Sequence, residues 1–168
     1  MYKIAIFRSA LGWMGLIGRG EMLVQLTFGH RSAEAALKAL DPELVGRGQR
    51  ATWNPSLVAR LQAYARGRRD DFADVAVDPG TTTQFRQRVL DCCRHIPFGE
   101  TLTYGQLATL AGSPAAARAV GNCMAANRIP LVIPCHRVVP SAGEFGGYSA
   151  ASGTAMKRRL LALEAACV

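Results

Sequence analysis

The residues most able to do chemistry are a cysteine and a histidine in succession, Cys135-His136, placed after an apolar run and a proline. A thiol of ordinary pKa, about 8.5, is only a few per cent thiolate at neutral pH, so a nucleophilic Cys135 needs an activating partner. Neighbours on an extended chain point to opposite sides, which predicts that His136 reaches the sulfur through a bridging water. Glu164, near the C-terminus, is the carboxylate suited to orient the imidazole. By accepting from one ring nitrogen it fixes the tautomer and leaves the other nitrogen to take a proton. The adjacency alone favours the plainer reading, the commonest fate of a free cysteine: a small buried hydrophobe beside a partly exposed histidine and a solvated helix end. A cysteine hydrolase is a weaker reading, because adjacent residues make a poor direct dyad and no oxyanion-hole glycine precedes Cys135.

These side chains need elements to hold them. The pattern predicts a strand at Leu131-Val132-Ile133 leading into Cys135, and a last helix from about Thr154 to Ala166 that carries Glu164. Upstream, Thr103 caps a helix of about Tyr104 to Leu110 and Gly112 ends it. Ser113-Pro114 then caps a second helix of about Pro114 to Ala125, giving helix, tight turn, helix. A further helix runs from Thr82 to about His95. The first part of the chain has three short alternating runs, at 2–7, about 13–18 and 22–28, as expected of a small antiparallel sheet. Helices follow from Ser32 to about Leu40 and from Asn54-Pro55 to about Arg66. Charge and Pro79-Gly80 break the pattern near residue 80, so the expected division is 1–80 and 81–168 in an α/β (α+β) fold.

The 168 residues carry a formal charge of +8. Residues 81–168 hold nine Lys/Arg against four Asp/Glu, and residues 1–80 eleven against eight. Such a balance favours a polyanionic partner, since cations that meet phosphates release counterions. Five cysteines without a Cys-x-x-Cys pair argue against a disulfide framework and a zinc knuckle. The first 80 residues have no cysteine and only His30, so no metal is expected, and no cofactor. No apolar run approaches the roughly 20 residues of a membrane span, and Arg8 and the early glycines spoil a signal peptide. The expected location is the cytoplasm, or the nucleus of a eukaryote, with no membrane partner.

From Phe98 onward the chain reads FGETLTYGQLATLAGSPAAARAVGNCMAANRIPLVIPCHRVV, with GGYS following. The Pro-Cys-His-Arg-Val core, the Arg-Ala-Val-Gly helix segment, the later asparagine and the tyrosine of the first helix stand in the order and spacing of the O6-alkylguanine-DNA alkyltransferase family, which this stretch resembles. Residues 1–80 match only in outline. The resemblance implies a small N-terminal ribonuclease-H-like lobe and a C-terminal winged-helix, helix-turn-helix lobe. It implies DNA repair by direct reversal: irreversible, stoichiometric transfer of an alkyl group from O6-alkylguanine, and from O4-alkylthymine, to Cys135. The partner is double-stranded DNA containing the lesion, and the expected acting unit is a monomer.

The same resemblance gives roles to particular residues. Cys135 is the alkyl acceptor, His136 its water-mediated base, Glu164 the residue behind the histidine, and Asn127 the side chain that holds the segment. Tyr104 donates to the leaving guanine and presses on the flipped phosphate. Arg118 fills the place of the extruded nucleotide, while Ala116, Ala117, Ala119 and Gly121 let backbone approach the minor groove. Val138, Tyr148 and Ser149 line the base pocket and Pro130 shapes its wall. Lys157, Arg158 and Arg159 crowd the first turn of the last helix, as a phosphate site or as a solvated face. The loop after Tyr148 is longer than the family's, which bears on the alignment of Glu164. The rival reading is a non-transferring lesion-binding or winged-helix DNA-binding protein.

Overall fold

Alternation of apolar and polar residues builds a meander of β1 (Tyr2–Ser9), β2 (Gly12–Arg19) and β3 (Met22–His30) in the computed structural model, which describes residues 1–142, 148 and 150–167. β1 and β2 are antiparallel from Tyr2↔Arg19 to Ser9↔Gly12. Central strand β2 is covered on both faces. Ile17 packs with Ile4, Val24 and Leu40 on one side, while Met14 and Leu16 enter the main core on the other. Gly18 is the point where Trp53 lies on the sheet; a Cβ there would meet the indole ring at 2.1 Å.

Ser32 caps α1 (Ala33–Ala39) as predicted. Two elements were not predicted: α2 (Pro42–Gly46), capped by Asp41 with proline in its first turn, and β4 (Gly48–Arg50), which adds parallel to β1. The sheet order is thus β3-β2-β1-β4. Asn54 caps α3 (Pro55–Ala65), whose Leu57, Leu61 and Tyr64 form one buried stripe at helical spacing.

In the second half come α4 (Gln84–Arg94), β5 (Leu102–Thr103), α5 (Tyr104–Leu110) and α6 (Ala117–Ala125). A 3-10 turn at Cys135–Arg137, β6 (Val138–Val139) and α7 (Gly153–Ala166) complete the order. β5 and β6 pair in parallel, tying the start of α5 to the end of the cysteine turn. Thr103 and Gln106 form a full capping box on α5, and Gly112, at φ 85°, reverses the chain after it.

Two expectations are corrected. α6 begins at Ala117, not at Pro114. Ser113 accepts from the Ala116 amide at 2.9 Å, so Pro114 occupies a β-turn position that suits its fixed φ, and the helix starts only after that turn. Leu131-Val132-Ile133 is not a strand. Leu131 has φ 71°, and the Ile133 amide closes a turn onto Ile129 at 2.9 Å. All three side chains are buried, so the run is apolar because it lies inside the protein, not because it pairs in a sheet.

One continuous core joins the halves, from Ala5 and Leu16 through Tyr64 and Phe98 to Cys135 and Leu160. At its edge the Leu26 amide donates to the Arg128 carbonyl at 2.9 Å, and Arg128 pairs with Asp41 at 2.8 Å. The segment that follows α6 is therefore anchored on the N-terminal sheet.

Candidate active site

Cys135 sits at the first position of the 3-10 turn and is 2% exposed. Asn127, just after α6, holds it. The amide nitrogen donates to Sγ at 3.1 Å and to the Ile133 carbonyl at 2.8 Å, while the Ile129 amide donates to the side-chain oxygen at 3.0 Å, which fixes the orientation of the group. Burial pushes the Cys135 thiol up; the Asn127 amide, the Tyr148 hydroxyl and the Lys157 charge offset part of that rise. The resting sulfur is accordingly a thiol that must lose its proton to react.

His136 is fully buried, and its Nε2 lies 2.8 Å from Glu164 Oε1. Its Nδ1 is buried and has no partner. With Nε2–H donating to the carboxylate, Nδ1 is the bare acceptor, the arrangement a base needs. Burial lowers the His136 pKa and outweighs the opposing pull of Glu164, so the ring is neutral when folded. His136 makes no direct hydrogen bond to the sulfur among the described residues, and the unpartnered nitrogen is where a bridging water would serve.

Glu164, 1% exposed on α7, receives more than the histidine. Arg137 donates from Nε at 3.0 Å and from Nη2 at 2.9 Å, the Tyr64 hydroxyl donates at 2.6 Å, and the Gly99 amide donates at 3.2 Å. Burial opposes ionisation, but the hydrogen bonds from His136, Arg137 and Tyr64 outweigh it and hold the carboxyl well below its usual range. Arg137 is itself 1% exposed and spends Nη1 on the Ile96 carbonyl at 2.7 Å.

Sequence reasoning named Lys157 but missed its place in the site. It lies on the core side of α7, 1% exposed, and donates to the Val138 carbonyl at 2.5 Å and to the Tyr104 hydroxyl at 3.3 Å. This corrects the picture of Lys157, Arg158 and Arg159 as one basic cluster: Arg158 and Arg159 are exposed, and Arg159 donates to the Ala10 carbonyl. A signal was present. Lys157, Leu160 and Glu164 stand at i, i+3 and i+7, the spacing of one core-facing stripe.

Tyr104 also borders a cleft of about 610 Å³ shared with Arg118, Gly121, Asn122, Pro140 and Ser141. Ala117 lines it as well, Arg118 and Ala119 are exposed, and Ala116 is half-buried at the helix start. Tyr148 has a buried hydroxyl with no well-formed hydrogen bond, close enough to Cys135 for the two to act on each other's ionisation. Val138 is buried, with its carbonyl taken by Lys157. Pro130 is not brought to this cleft; it lines a smaller cavity of about 180 Å³ against β3. Ser149 lies outside the described residues. Among the described residues no group of three His, Cys, Asp or Glu side chains is placed to hold a metal, and no helix is long and apolar enough to cross a membrane.

An asparagine-held cysteine backed by a buried His-Glu-Arg set, next to a helix-turn-helix cleft, defines a protein built for nucleophilic chemistry at one sulfur. The family model described as "6-O-methylguanine DNA methyltransferase, DNA binding domain" matches residues 84–166. A methylated-DNA--protein-cysteine methyltransferase of Methanosarcina acetivorans is 36% identical, over 97% of this chain and 98% of that one. The crystal structure of Mycobacterium tuberculosis O6-methylguanine methyltransferase aligns with TM-score 0.82 and 32% identity, covering 100% of this chain and 95% of that one. The same protein solved in complex with DNA aligns with TM-score 0.78 and 32% identity, covering 99% and 94%. The chain belongs to the methylated-DNA--protein-cysteine methyltransferase family.

The network also predicts acid sensitivity. Of the groups in the network, His136 and Glu164 titrate in the acid range, and both favour folding at higher pH. The depressed His136 pKa means that stability is complete above its ordinary value of 6.5 and erodes as pH falls below it. The depressed Glu164 pKa adds stability above 4.5 that is lost as pH falls further. Urea midpoints measured from pH 8 to pH 3 should decline below about 6.5 and more steeply below about 4.5. Glu164→Gln should flatten the lower limb, and an unchanged lower limb in that variant would refute the assignment.

Proposed function

We propose that this chain repairs DNA by direct reversal, taking the alkyl group from O6-alkylguanine, and from O4-alkylthymine, in double-stranded DNA onto Cys135. The observation that carries the reading is the Asn127-held sulfur beside a histidine whose buried Nδ1 is bare and whose Nε2 is bound to Glu164. The Cys135 proton passes through a water to Nδ1, and the imidazolium is stabilised by the carboxylate. Sγ then attacks the alkyl carbon in line, the S–C bond forms as the C–O6 bond breaks, and the electron pair returns to the purine. The purine takes up a proton from solvent to leave as neutral guanine, while His136 returns its proton to solvent. Tyr104, next to the Lys157 ammonium, supplies a hydrogen bond to the leaving base. The thioether product has no group placed to reverse it, so each molecule reacts once.

The damaged nucleotide is turned out of the stack toward the cleft, with Arg118 filling its place and the small residues Ala116, Ala117, Ala119 and Gly121 meeting the minor groove. Tyr148, Val138 and Ser149 complete the base pocket. We divide the work between residues 1–80, a ribonuclease-H-like lobe, and residues 81–168, the DNA-binding and acceptor lobe. The protein acts as a monomer, in the cytoplasm or in the nucleus of a eukaryote.

The test is a duplex carrying one O6-methylguanine. Intact mass and peptide mapping should find one methyl group on Cys135 per molecule and a restored guanine. Binding without an adduct would replace this reading with a lesion-recognition protein, and turnover on esters with a hydrolase. A finer prediction concerns Arg118→Ala. It should keep its rate with free O6-benzylguanine and lose roughly 10- to 100-fold with duplex substrate, because extrusion costs a few kcal/mol that the arginine offsets. Equal loss with both substrates would refute the flipping role.

A further inference from the structure

The cysteine's chemistry is carried by the second half of the chain, yet one side chain of the first half reaches into it. Tyr64, on α3, is fully buried and donates its hydroxyl to Glu164 Oε1 at 2.6 Å. That oxygen is the one bonded to His136 Nε2, and the Tyr64 hydroxyl lies 3.4 Å from the same nitrogen. The ring is wedged edge-on between Phe72 and Phe98, with centroids 5.7 and 5.9 Å away. An aromatic plug would need no hydroxyl. Placing one here, against an ionised carboxylate and away from water, has a chemical consequence.

We infer that Tyr64 is a positioning residue for the acceptor cysteine: its hydroxyl fixes Glu164 Oε1 opposite His136 and restrains the basicity of the His136–Glu164 pair, so that Nδ1 stays unprotonated at neutral pH. The inference rests on the proposed role of His136 as base.

Among the described residues, the other charged or titratable groups around the pair are these. Arg137 and Cys135 come from the 3-10 turn, Lys157 from α7, Cys93 from α4 and Tyr148 from the glycine-rich link, with Asp71 at the rim, 3.7 Å from Arg137. Arg137 grips both oxygens of Glu164 whatever Tyr64 does. Tyr64, like His136, is a neutral donor to Oε1, so its hydroxyl can be deleted without leaving a buried charge unpaired.

Without that bond Oε1 becomes more basic, and the pair takes up a proton at higher pH. Protonated, it cannot accept from the thiol. Tyr64→Phe, which keeps the ring and its packing, should therefore react with free O6-benzylguanine about tenfold more slowly on the acid side of the profile, the worth of one charge-assisted hydrogen bond, and should be less affected at neutral pH. The acid limb of its pH–rate profile should also move to higher pH. Fluorotyrosine at position 64, a stronger donor, should move the same limb to lower pH. A purely structural role would lower the rate equally at every pH.

An acid limb that stays at the wild-type pH in Tyr64→Phe overturns the inference, whether or not the overall rate falls. His136→Gln, run in parallel, separates the two levels of the argument. If it is inactive while the Tyr64→Phe limb is unmoved, Tyr64 alone has been misassigned. If it reacts like wild type, the base assignment fails and this inference fails with it.

Discussion

Cys135→Ser should leave O6-methylguanine in a duplex untouched, with the rate constant for its removal lowered by about four orders of magnitude or more. The size of the effect follows from the surroundings of the sulfur. Burial already pushes the Cys135 thiol above its ordinary pKa, and the Asn127 amide, Tyr148 and Lys157 recover only part of that. The neutral imidazole behind it, with its bare Nδ1, is the base that takes the thiol proton during attack. A serine hydroxyl is many units less acidic, and each unit costs about 1.4 kcal/mol at the barrier. Nothing in the site makes up such a difference. Oxygen is also the weaker nucleophile toward a saturated carbon. Chromatography of the nucleosides released from a treated duplex gives the answer directly: lesion loss at a wild-type rate in Cys135→Ser would remove the foundation of the mechanism.

How much of this was legible beforehand depended on whether the signal was local. Thr103, Gln106 and Gly112 mark the start and end of α5 through caps that act within a few residues, and the sequence shows them plainly. The family resemblance placed Tyr104, Arg118, Asn127, Cys135 and His136 in one site; Asn127 bonds Cys135 directly, and Tyr104 accepts from Lys157. Asp41-Pro42 was a legible cap before a short helix, but five residues of α2 are too few to show periodicity. The run at 131–133 looks like a strand in the sequence because continuous apolar residues report burial, not the partner that buries them.

The roles of Lys157, Arg137 and Tyr64 were hidden for another reason. A lysine or arginine is normally solvated, and only the fold can show that its head group ends on a buried carbonyl or carboxylate. Lys157 looked like an unfavourable charge on the first turn of α7, whereas its ammonium meets the Val138 carbonyl. Tyr64 lies 100 residues from Glu164, a pairing no spacing rule can reach.

The buried Arg137–Glu164 pair makes the second large prediction, this time for folding. Both side chains are 1% exposed, and the guanidinium answers Glu164 with two donors while a third goes to Ile96. Arg137→Ala should destabilise the protein by about 3–5 kcal/mol, because Glu164 then keeps a charge in the interior without its main partner, and the vacated space adds a packing loss. Taking two charges out of water is itself costly, so the pair need not be there for stability. Arg137→Met combined with Glu164→Gln removes both charges and keeps most of the volume, and it should recover much of the loss in urea denaturation. Its rate with O6-benzylguanine should nevertheless stay low, since a neutral amide in place of the carboxylate cannot stabilise the imidazolium that forms at His136. If Arg137→Ala costs under about 1 kcal/mol, the charge on Glu164 is not being held by that guanidinium. If the double variant is fast, the ionised carboxylate is not needed for transfer. Stability restored without reactivity would show that the interior tolerates this ion pair for the sake of the sulfur two residues away.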